Sequence, residues 1–453
     1  MQDTSPPARA LPRRLSLQDL VVYGLLFIGP LAPASVFGVL DAQANGAVSL
    51  VYALATLVMA CTAWSYGQMS SHVPHAGSVF AYAREGLGSS AGFLAGWMAM
   101  LDYLLIPALA YLFSGVALHA LLPALPAWVY TLLAFLAANL LNFAGARAAV
   151  RAGRLMLGVE IVVLALFVIG AIAILLAHGP IRAWSSPFTG VTVPGPGGLA
   201  LAPLLGAMSV AVLSFLGFDA IASFAEENAG DSRQVGRAIG LCLGVAGTLF
   251  VLQTYLAGLL SPTSPAELAA HPDAQGTAFF DLARASLGGW FGALITTTKA
   301  IGPAFAAMTG QAAAARLLFG MARDGSLPVR LASVDERRGV PGIALVTTAV
   351  LTVVVALWAA RRDDGLSVLA SIVDVGALSA FTLLHCSVFG YFVIRRRAAS
   401  TLAHWIVPSV GVAATVWIII DAGVLAQRIA VVWFVLGSAW LLLRRRFRSR
   451  ATR

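Results

Sequence analysis

The sequence predicts an all-α integral membrane protein that crosses the bilayer about twelve times. Hydrophobic residues make up 59% of the 453-residue chain and charged residues only 11%, with a mean hydropathy of +0.86. A soluble globular domain carries about 25% charged residues. Hydrophobic stretches near or above the roughly 20 residues that a spanning helix needs recur at 18–42, 47–69, 90–118, 127–145, 155–177, 202–226, 237–260, 288–316, 342–360, 366–394, 404–424 and 428–444.

The distribution of basic residues predicts that both chain ends face the cytoplasm. The net charge is +9, and the basic residues are 28 arginines and one lysine. With twelve crossings and cytoplasmic ends, 23 arginines fall on the cytoplasmic side and 5 fall outside. This bias follows the positive-inside rule, and the neighbouring surface is then an anionic inner leaflet. The basicity therefore indicates orientation in a cell (inner) membrane, and no nucleic-acid partner is expected.

The first hydrophobic span is interrupted at its middle. It reads Gly29-Pro30-Leu31-Ala32-Pro33, and each proline removes a backbone donor and clashes with the preceding turn. Within a membrane, such a break is tolerated only where the backbone is buried in protein or lines a watery cavity. The break therefore predicts a binding site for a small solute.

A second candidate break lies in the sixth span, at Ser214-Phe215-Leu216-Gly217-Phe218-Asp219. It comes five helices after the first, and because five is odd, the two five-helix halves would have opposite topology. Paired interrupted helices are typical of inverted-repeat transporters. We expect one transporter domain with these parts: a cytoplasmic tail at 1–17, a first repeat at 18–177, a second repeat at 202–394, two further helices at 404–444 and a cytoplasmic tail at 445–453.

Several motifs, in chain order, resemble those of the amino acid–polyamine–organocation (APC) permeases. They are Ser65-Tyr66-Gly67-Gln68, Pro74-His75-Ala76-Gly77-Ser78 with Tyr82, Gly92-Phe93-Leu94-Ala95-Gly96-Trp97, Phe215 to Asp219 with Glu226-Glu227, Arg316-Leu317-Leu318, Met321 to Gly325, Leu327-Pro328 and Pro341. Within the family, the putrescine-importer branch is the most similar, on Leu101-Asp102-Tyr103-Leu104 with Pro107, on Pro30, and on Gly376-Ala377-Leu378 with Ala380-Phe381-Thr382.

The resemblance implies a LeuT-like fold of twelve transmembrane helices, with ten in a 5+5 inverted repeat, discontinuous helices 1 and 6, and two C-terminal helices. It also implies a substrate near the bilayer midplane and secondary-active import that is usually driven by protons. The chain departs from the commoner family pattern at the first break, where relatives carry a Gly-Ser-Gly-like turn. Free amides of such a turn can bind a substrate carboxylate. Pro30 and Pro33 remove donors, which favours a substrate that lacks a carboxylate.

Three acidic residues inside the predicted helices are candidates for binding ammonium groups, because ionisable residues within a membrane are costly and usually functional. Asp102 and Asp374 could instead be buried structural groups, and Asp219 could accept amides freed by the break. Nearby aromatic residues could provide cation–π contacts or simply pack. The predicted substrate-binding set is Gly29, Pro30, Leu31, Ala32, Asp102, Tyr103, Ser214, Phe215, Gly217, Phe218, Asp219 and Asp374.

Glu160 and Lys299 are the candidates for proton coupling. Lys299 is the only lysine in the chain, and a buried lysine is suited to reversible protonation. The resemblance places it where sodium-coupled relatives of the fold bind an ion between helices 1 and 8, with Glu160 across that contact. The alternative is a permanent ion pair that only stabilises the fold.

Glu226 and Glu227 are predicted to form an inner gate, since the resemblance places these acids toward that side. The alternative is a solvated helix end paired with Arg233 or Arg237. Two further acids, Asp41 and Asp421, are predicted to lie at membrane interfaces.

The sequence thus predicts a secondary-active, proton-coupled importer of a small organic cation, such as the diamine putrescine. The alternative is an amino acid permease or exchanger of the same fold. Expected partners are the small-molecule substrate, protons and the lipid bilayer. No cofactor, metal site or catalytic residue is expected, because the chain has no HExxH, GxSxG or Walker pattern and its three cysteines match no metal motif.

Overall fold

The computed structural model describes residues 13–73, 77–144, 146–191, 201–335, 340–362, 364–396, 401–421 and 424–451. Most of the predicted tail at 1–17, the end of the tail at 445–453 and the motif residues Pro74-His75-Ala76 lie outside these ranges. Among the described residues, strand-like pairing is limited to two isolated bridges, Leu15 with Asn228 and Asp335 with Val340. The part of the chain that can be described is therefore helical, as predicted.

The α-helices follow one another along the chain with short connections. Their bounds are α1 (Leu17–Ile28), α2 (Phe37–Gln43), α3 (Val48–His72), α4 (Val79–Leu87), α5 (Ser89–Leu121), α6 (Ala127–Ala144), α7 (Ala146–His178), α8 (Ser186–Thr189), α9 (Leu201–Leu213), α10 (Arg233–Leu260), α11 (Pro265–Ala270), α12 (Pro272–Gln275), α13 (Ala278–Leu287), α14 (Gly289–Arg323), α15 (Gly342–Ala359), α16 (Gly365–Val388), α17 (Ala403–Asp421) and α18 (Val424–Ala451).

Ten helical segments in the described ranges are long and apolar enough to cross a membrane. Ala127–Leu141 in α6 is a shorter apolar helix, and α14 has the length of a membrane helix, with 35 residues. The helices on the outside expose large apolar side chains, such as Leu176 at 84% and Ile420 at 71%. A surface of this kind is stable in lipid rather than in water, so the chain is a multi-pass membrane protein.

The first membrane helix is interrupted beside its prolines. α1 begins with a capping box between Ser16 and Asp19 and ends at Gly29, whose φ is +75°. A 3₁₀ turn, Ala32–Ser35, then leads into α2. Because Pro30 and Pro33 lack amide donors, the chain cannot continue as one α-helix here. The turn is instead closed by local bonds, including the Ala32 amide to the Gly29 carbonyl at 2.9 Å.

A second interruption follows α9. Its last turn ends at Leu213, and after residues 214–217 the chain continues as a ten-residue 3₁₀ helix, Phe218–Glu227. Gly217 has a φ of +114°, and a Cβ atom on it would collide with the ring of Phe27 in α1. Glycine is therefore required both for the turn and for the close contact between the two interrupted segments.

Two long helices, α5 and α14, pack against each other; α14 also packs against α1 and the 3₁₀ segment, and α5 contacts the 3₁₀ segment through Tyr103. Each contains an internal proline, Pro107 and Pro303 respectively. Gly376 of α16 lies directly on α5, since a Cβ there would collide with the Cβ of Leu101. These contacts bring polar residues of α5, α16 and the 3₁₀ segment together in the protein interior.

Candidate functional site

Three carboxylates from different elements meet inside the helix bundle. Asp102 on α5, Asp219 on the 3₁₀ segment and Asp374 on α16 are 3%, 1% and 7% exposed. Asp219 and Asp374 both lie close enough to Asp102 for their charges to interact. The Oδ1 atom of each of the three acids is buried and has no hydrogen-bond partner among the described residues. Buried acceptors without partners are rare in proteins, so this cluster is suited to a ligand that donates hydrogen bonds.

Asp219 is the best supported of the three acids. The hydroxyl of Tyr103 donates a 2.7 Å hydrogen bond to its Oδ2, and the hydroxyl of Tyr66 lies 3.4 Å from the same atom. The backbone amides of Gly217 and of Asp219 itself lie near this carboxylate. The two tyrosine hydroxyls therefore connect Oδ2 of this side chain to α3 and α5, while its Oδ1 has no partner among the described residues.

Other hydroxyl groups near this cluster were not in the predicted site. Tyr66 contacts Tyr82 edge-on, with ring centroids 6.0 Å apart. The hydroxyl of Tyr82 is buried and without a partner among the described residues, and Ser78 is fully buried near Tyr66 and Tyr103. Both belong to the family-like motif around residues 74–82, and that motif was the available signal. Their chemistry adds donors and acceptors to the carboxylate cluster.

A narrow cavity of about 100 Å³ lies between the two interrupted segments. Gly29, Ala32 and Ser214 of the predicted set line it, together with both predicted coupling residues, Glu160 and Lys299. The Glu160 carboxylate lies near the Leu31 amide and interacts electrostatically with Lys299. A Cβ on Gly302, one turn beyond Lys299, would collide with the Glu160 carboxylate. The opposite charges of α7 and α14 therefore face one small space beside the first break.

A wider cavity of about 800 Å³ adjoins the narrow one. Asp374 lines this wider cavity, whereas Asp102, Tyr103 and Asp219 line neither cavity. The two cavities share four lining residues, Ser35, Val36, Phe113 and Leu213. Two of these, Phe113 and Leu213, are large apolar side chains at the junction of the cavities. Neither residue was in the site predicted from the sequence.

The remaining members of the predicted set pack around the site without lining either cavity. The Pro30 carbonyl accepts a 2.9 Å hydrogen bond from Gln253 on α10. Phe215 packs against Phe250, with ring centroids 5.0 Å apart, and Phe218 packs against Tyr66 at 6.3 Å. Leu31 is fully buried. These residues hold the two breaks in place, and the packing alternative is the one that the structure favours for both phenylalanines.

The acids at the end of the 3₁₀ segment pair with α14. Glu227 forms a buried bidentate ion pair with Arg316, including a 3.1 Å contact between Oε2 and Nη2, and Glu226 pairs with Arg323. The alternative prediction, that these acids pair with Arg233 or Arg237, is therefore wrong. The Arg316 guanidinium also lies 4.2 Å from the ring centroid of Phe224.

The 3₁₀ segment also contacts α1 through aromatic stacking. Phe224 stacks on Tyr23 of α1, with ring centroids 5.0 Å apart. The 3₁₀ segment is thus connected to α1 by rings and to α14 by ion pairs. Such contacts can hold two helices together in one state and separate in another.

A bundle of membrane helices with interrupted segments around buried polar groups defines a solute transporter. The family profile described as "Amino acid permease" matches residues 26–437 of the chain. The protein therefore belongs to the amino acid permease family of the APC superfamily, which confirms the resemblance seen in its motifs. It is a transporter and not an enzyme.

Curated relatives fall in several branches of the family. The chain is 30% identical to the low-affinity putrescine importer PlaP of Escherichia coli (strain K12), over 86% of this chain and 84% of the relative. It is 25% identical to the branched-chain amino acid permease BcaP of Bacillus subtilis (strain 168), over 95% and 92%. It is 27% identical to the vacuolar cationic amino acid transporter 2 of Arabidopsis thaliana, over 83% and 59%.

Proposed function

We propose that the protein is a secondary-active, proton-coupled importer of a small organic cation, a diamine such as putrescine. The observation that carries this proposal is the buried group of Asp102, Asp219 and Asp374, in which each acid keeps one oxygen without a partner. An ammonium group donates three hydrogen bonds and supplies the opposite charge. A diamine offers two such groups at the ends of a short apolar chain.

The backbone at the first break supports a cation over an α-amino acid. The Gly29 amide donates to the Leu25 carbonyl and the Ala32 amide to the Gly29 carbonyl, while the Leu31 amide lies near the Glu160 carboxylate. Pro30 and Pro33 have no amide hydrogen. The amides that could bind a substrate carboxylate at a helix terminus therefore already face other oxygen atoms of the protein, whereas the carboxylate oxygens that would bind an ammonium group have no partner among the described residues.

The proposal includes the fold implied by the family resemblance. The two interrupted segments would be helices 1 and 6 of a LeuT-like arrangement of twelve transmembrane helices. α6 and α14 would be counted as membrane helices, with inverted repeats at 18–177 and 202–394 and further helices at 404–444. The arginine bias supports cytoplasmic termini in a cell (inner) membrane.

We assign roles to the remaining polar residues within this scheme. Glu160 and Lys299 would exchange the coupling proton, since they face one cavity at the first break. The Glu227–Arg316 and Glu226–Arg323 pairs would close the inner gate. A membrane potential that is negative inside would favour cation entry by about 2.3 kcal/mol per charge per 100 mV.

The test is uptake of radiolabelled putrescine into proteoliposomes with an acid-outside proton gradient. We expect a protonophore to abolish uptake. Other short diamines should compete with putrescine, and butylamine, which has one ammonium group, should compete more weakly. Leucine should not compete. If only zwitterions compete, the diamine proposal is lost. If the gradient has no effect, proton coupling is lost while the substrate assignment stands.

An amino acid permease or exchanger of the same fold is the second candidate. The specific observation in its favour is Lys299, whose ammonium group lies at the narrow cavity and could pair with an α-carboxylate. The relatives named for branched-chain and cationic amino acids are also family members. The competition panel above separates the two candidates directly.

A further inference from the structure

The wider cavity has features of a second binding site. Apart from its apolar walls, it is lined by serine and glutamine side chains and by two acids, Asp374 and Asp421. From this lining we infer that the wider cavity is an outer site for an alkylammonium group, in which Asp374 and Asp421 attract the cation before it reaches the buried carboxylates. This inference rests on the proposed function, because it takes the transported solute to be a cation.

Asp374 is the member of this site that points to a ligand. It lies on α16, is 7% exposed, lines the cavity and has an Oδ1 atom with no hydrogen-bond partner among the described residues. A carboxylate in this setting has lost most of its hydration, and nothing in the described part of the chain replaces it. A bound ammonium group would supply both the missing hydrogen bond and the counter-charge.

The neighbouring serines on α16 add acceptors. The hydroxyl of Ser367 donates to the Asp364 carbonyl at 2.9 Å, and the hydroxyl of Ser371 donates to the Ser367 carbonyl at 2.9 Å. Each hydroxyl has one hydrogen, which is used in these bonds, so its oxygen can offer only lone pairs to the cavity. Both serines line the same cavity as Asp374. This arrangement suits a ligand that donates hydrogen bonds.

The charge of the two acids is not compensated within the described lining of the wider cavity, and Lys299 lines the adjoining narrow cavity instead. Among the described lining residues there is no lysine, arginine or histidine. The arginines just before α16 have other contacts: Arg362 forms two bonds to Asp364, at 2.8 and 2.9 Å, and Arg361 lies 4.9 Å from the ring centroid of Trp128. Two carboxylates in a cleft with low-dielectric walls focus the electric field and raise the local concentration of cations.

The outer site also connects to the deeper polar groups. The wider cavity shares Val36, Phe113 and Leu213 with the narrow one, and the charge of Asp374 interacts with that of Asp102. Asp374 therefore faces the wide cavity and is also coupled to the buried cluster. A cation held at Asp374 would therefore also lie within range of the charge of Asp102.

Asp421→Asn tests the inference with putrescine as the probe. Asp421 is solvent-exposed at the end of α17, so the variant should fold, and size-exclusion chromatography of the purified protein checks this. We expect the KM for putrescine to rise about two- to fivefold at low salt, the range of a partly exposed charge pair, with the maximal rate unchanged. The difference should shrink at high salt, because screening weakens long-range attraction.

Asp364→Asn is the matched control, because Asp364 is an exposed acid before α16 that already pairs with Arg362 and does not line the cavity. It should leave the KM unchanged. A second variant, Ser367→Lys, places a competing ammonium group in the cavity and should raise the KM more than Asp421→Asn.

The outcomes separate the two proposals. The outer site alone is overturned if the unaltered protein takes up putrescine and both Asp421→Asn and Ser367→Lys leave the KM unchanged, as Asp364→Asn does. Absence of putrescine uptake by the unaltered protein overturns the proposed function, whatever the variants do.

Discussion

The hydroxyl of Tyr103 donates a 2.7 Å hydrogen bond to Oδ2 of Asp219, which connects α5 to the 3₁₀ segment after the second break. Tyr66 of α3 reaches the same oxygen at 3.4 Å. Asp219 is thereby fixed by side chains from two helices. The orientation of its free Oδ1 depends on these contacts, and Tyr103 provides the shorter of the two hydroxyl bonds.

Replacing Tyr103 by phenylalanine should weaken putrescine uptake without unfolding the protein. A hydrogen bond to a charged group contributes about 1.5–3 kcal/mol, so the loss of kcat/KM should be about tenfold to a hundredfold. Tyr66→Phe should have a smaller effect, because its bond is longer. Initial rates of radiolabelled uptake measure both.

Tyr111→Phe is the matched control for these substitutions. Tyr111 is a buried tyrosine on the same helix, and its hydroxyl bonds to Gln311 at 3.0 Å and not to the carboxylate cluster. It should affect thermal stability as Tyr103→Phe does but leave the KM unchanged. Equal losses of uptake in all three variants would show that only stability had changed.

The pH dependence of uptake should depend on Lys299. Glu160 and Lys299 face the same narrow cavity beside the first break, so a proton released by one can be held by the other. Lys299→Ala should flatten the profile of initial uptake rate against external pH, measured at fixed membrane potential. An unchanged profile, with normal expression, would falsify the coupling role.

Lys299→Arg separates proton exchange from charge alone. Arginine keeps the positive charge but is effectively never deprotonated in proteins. If Lys299 only balances the charge of Glu160, the arginine variant should restore the wild-type pH profile. If it exchanges the proton, the profile should stay flat while the protein remains as stable as the unaltered chain.

Local features of the site were predictable from the sequence, whereas long-range pairings were not. The first break follows from Pro30 and Pro33, because proline acts on its own turn. The second was harder to predict, since it depends on Gly217 packing against Phe27, a contact between distant segments. Charged residues inside apolar spans are also visible directly in the sequence, which is why Asp102, Glu160 and Lys299 are candidates for functional residues.

The partners of the charged residues required the fold. Glu227 pairs with Arg316, 89 residues away, and not with the nearer arginines at the start of α10. Asp41, predicted to lie at a membrane interface, is fully buried and pairs with Arg182, 141 residues away. Reasoning from the sequence favours partners that are close along the chain. Which opposite charges actually meet depends on how the 3₁₀ segment, the loops and the helices pack in the fold.

Under the proposed gate role, breaking the Glu227–Arg316 ion pair, the inner pair, should open the side of the protein that this pair is proposed to close. Arg316→Gln leaves Glu227 buried without its counter-charge, a loss of about 3–5 kcal/mol for a buried pair. We expect a cysteine introduced at Ser223, which is fully buried in the same 3₁₀ segment, to react faster with a soluble maleimide. The native cysteines would be replaced first, so that the label reports this position alone.

Arg323→Gln is the control for the inner ion pair. The Arg323 side chain is 24% exposed, against 9% for Arg316, so water can partly replace its contact with Glu226 and the increase in labelling should be smaller. Removing both charges of the inner pair, with Arg316→Gln and Glu227→Gln together, should recover part of the protection. Equal labelling of both single variants would contradict a specific role for Arg316.

The buried pair of Asp41 and Arg182 should support stability and not transport specificity. Both contacts are short, 2.8 and 2.7 Å, and Arg182 also donates to Ser261 at 3.0 Å, so the pair fastens α2 to the loops around α8 and α11. Asp41→Asn leaves the guanidinium buried without its charge partner and should lower the free energy of unfolding by about 3–5 kcal/mol. Thermal unfolding of the purified protein in detergent measures this as a lower Tm.

Asp364→Asn is the control for this substitution. It removes an exposed pair with Arg362 and should leave the Tm unchanged. The KM of folded Asp41→Asn protein should equal that of the unaltered chain, and a changed KM at normal Tm would instead place Asp41 in the transport pathway.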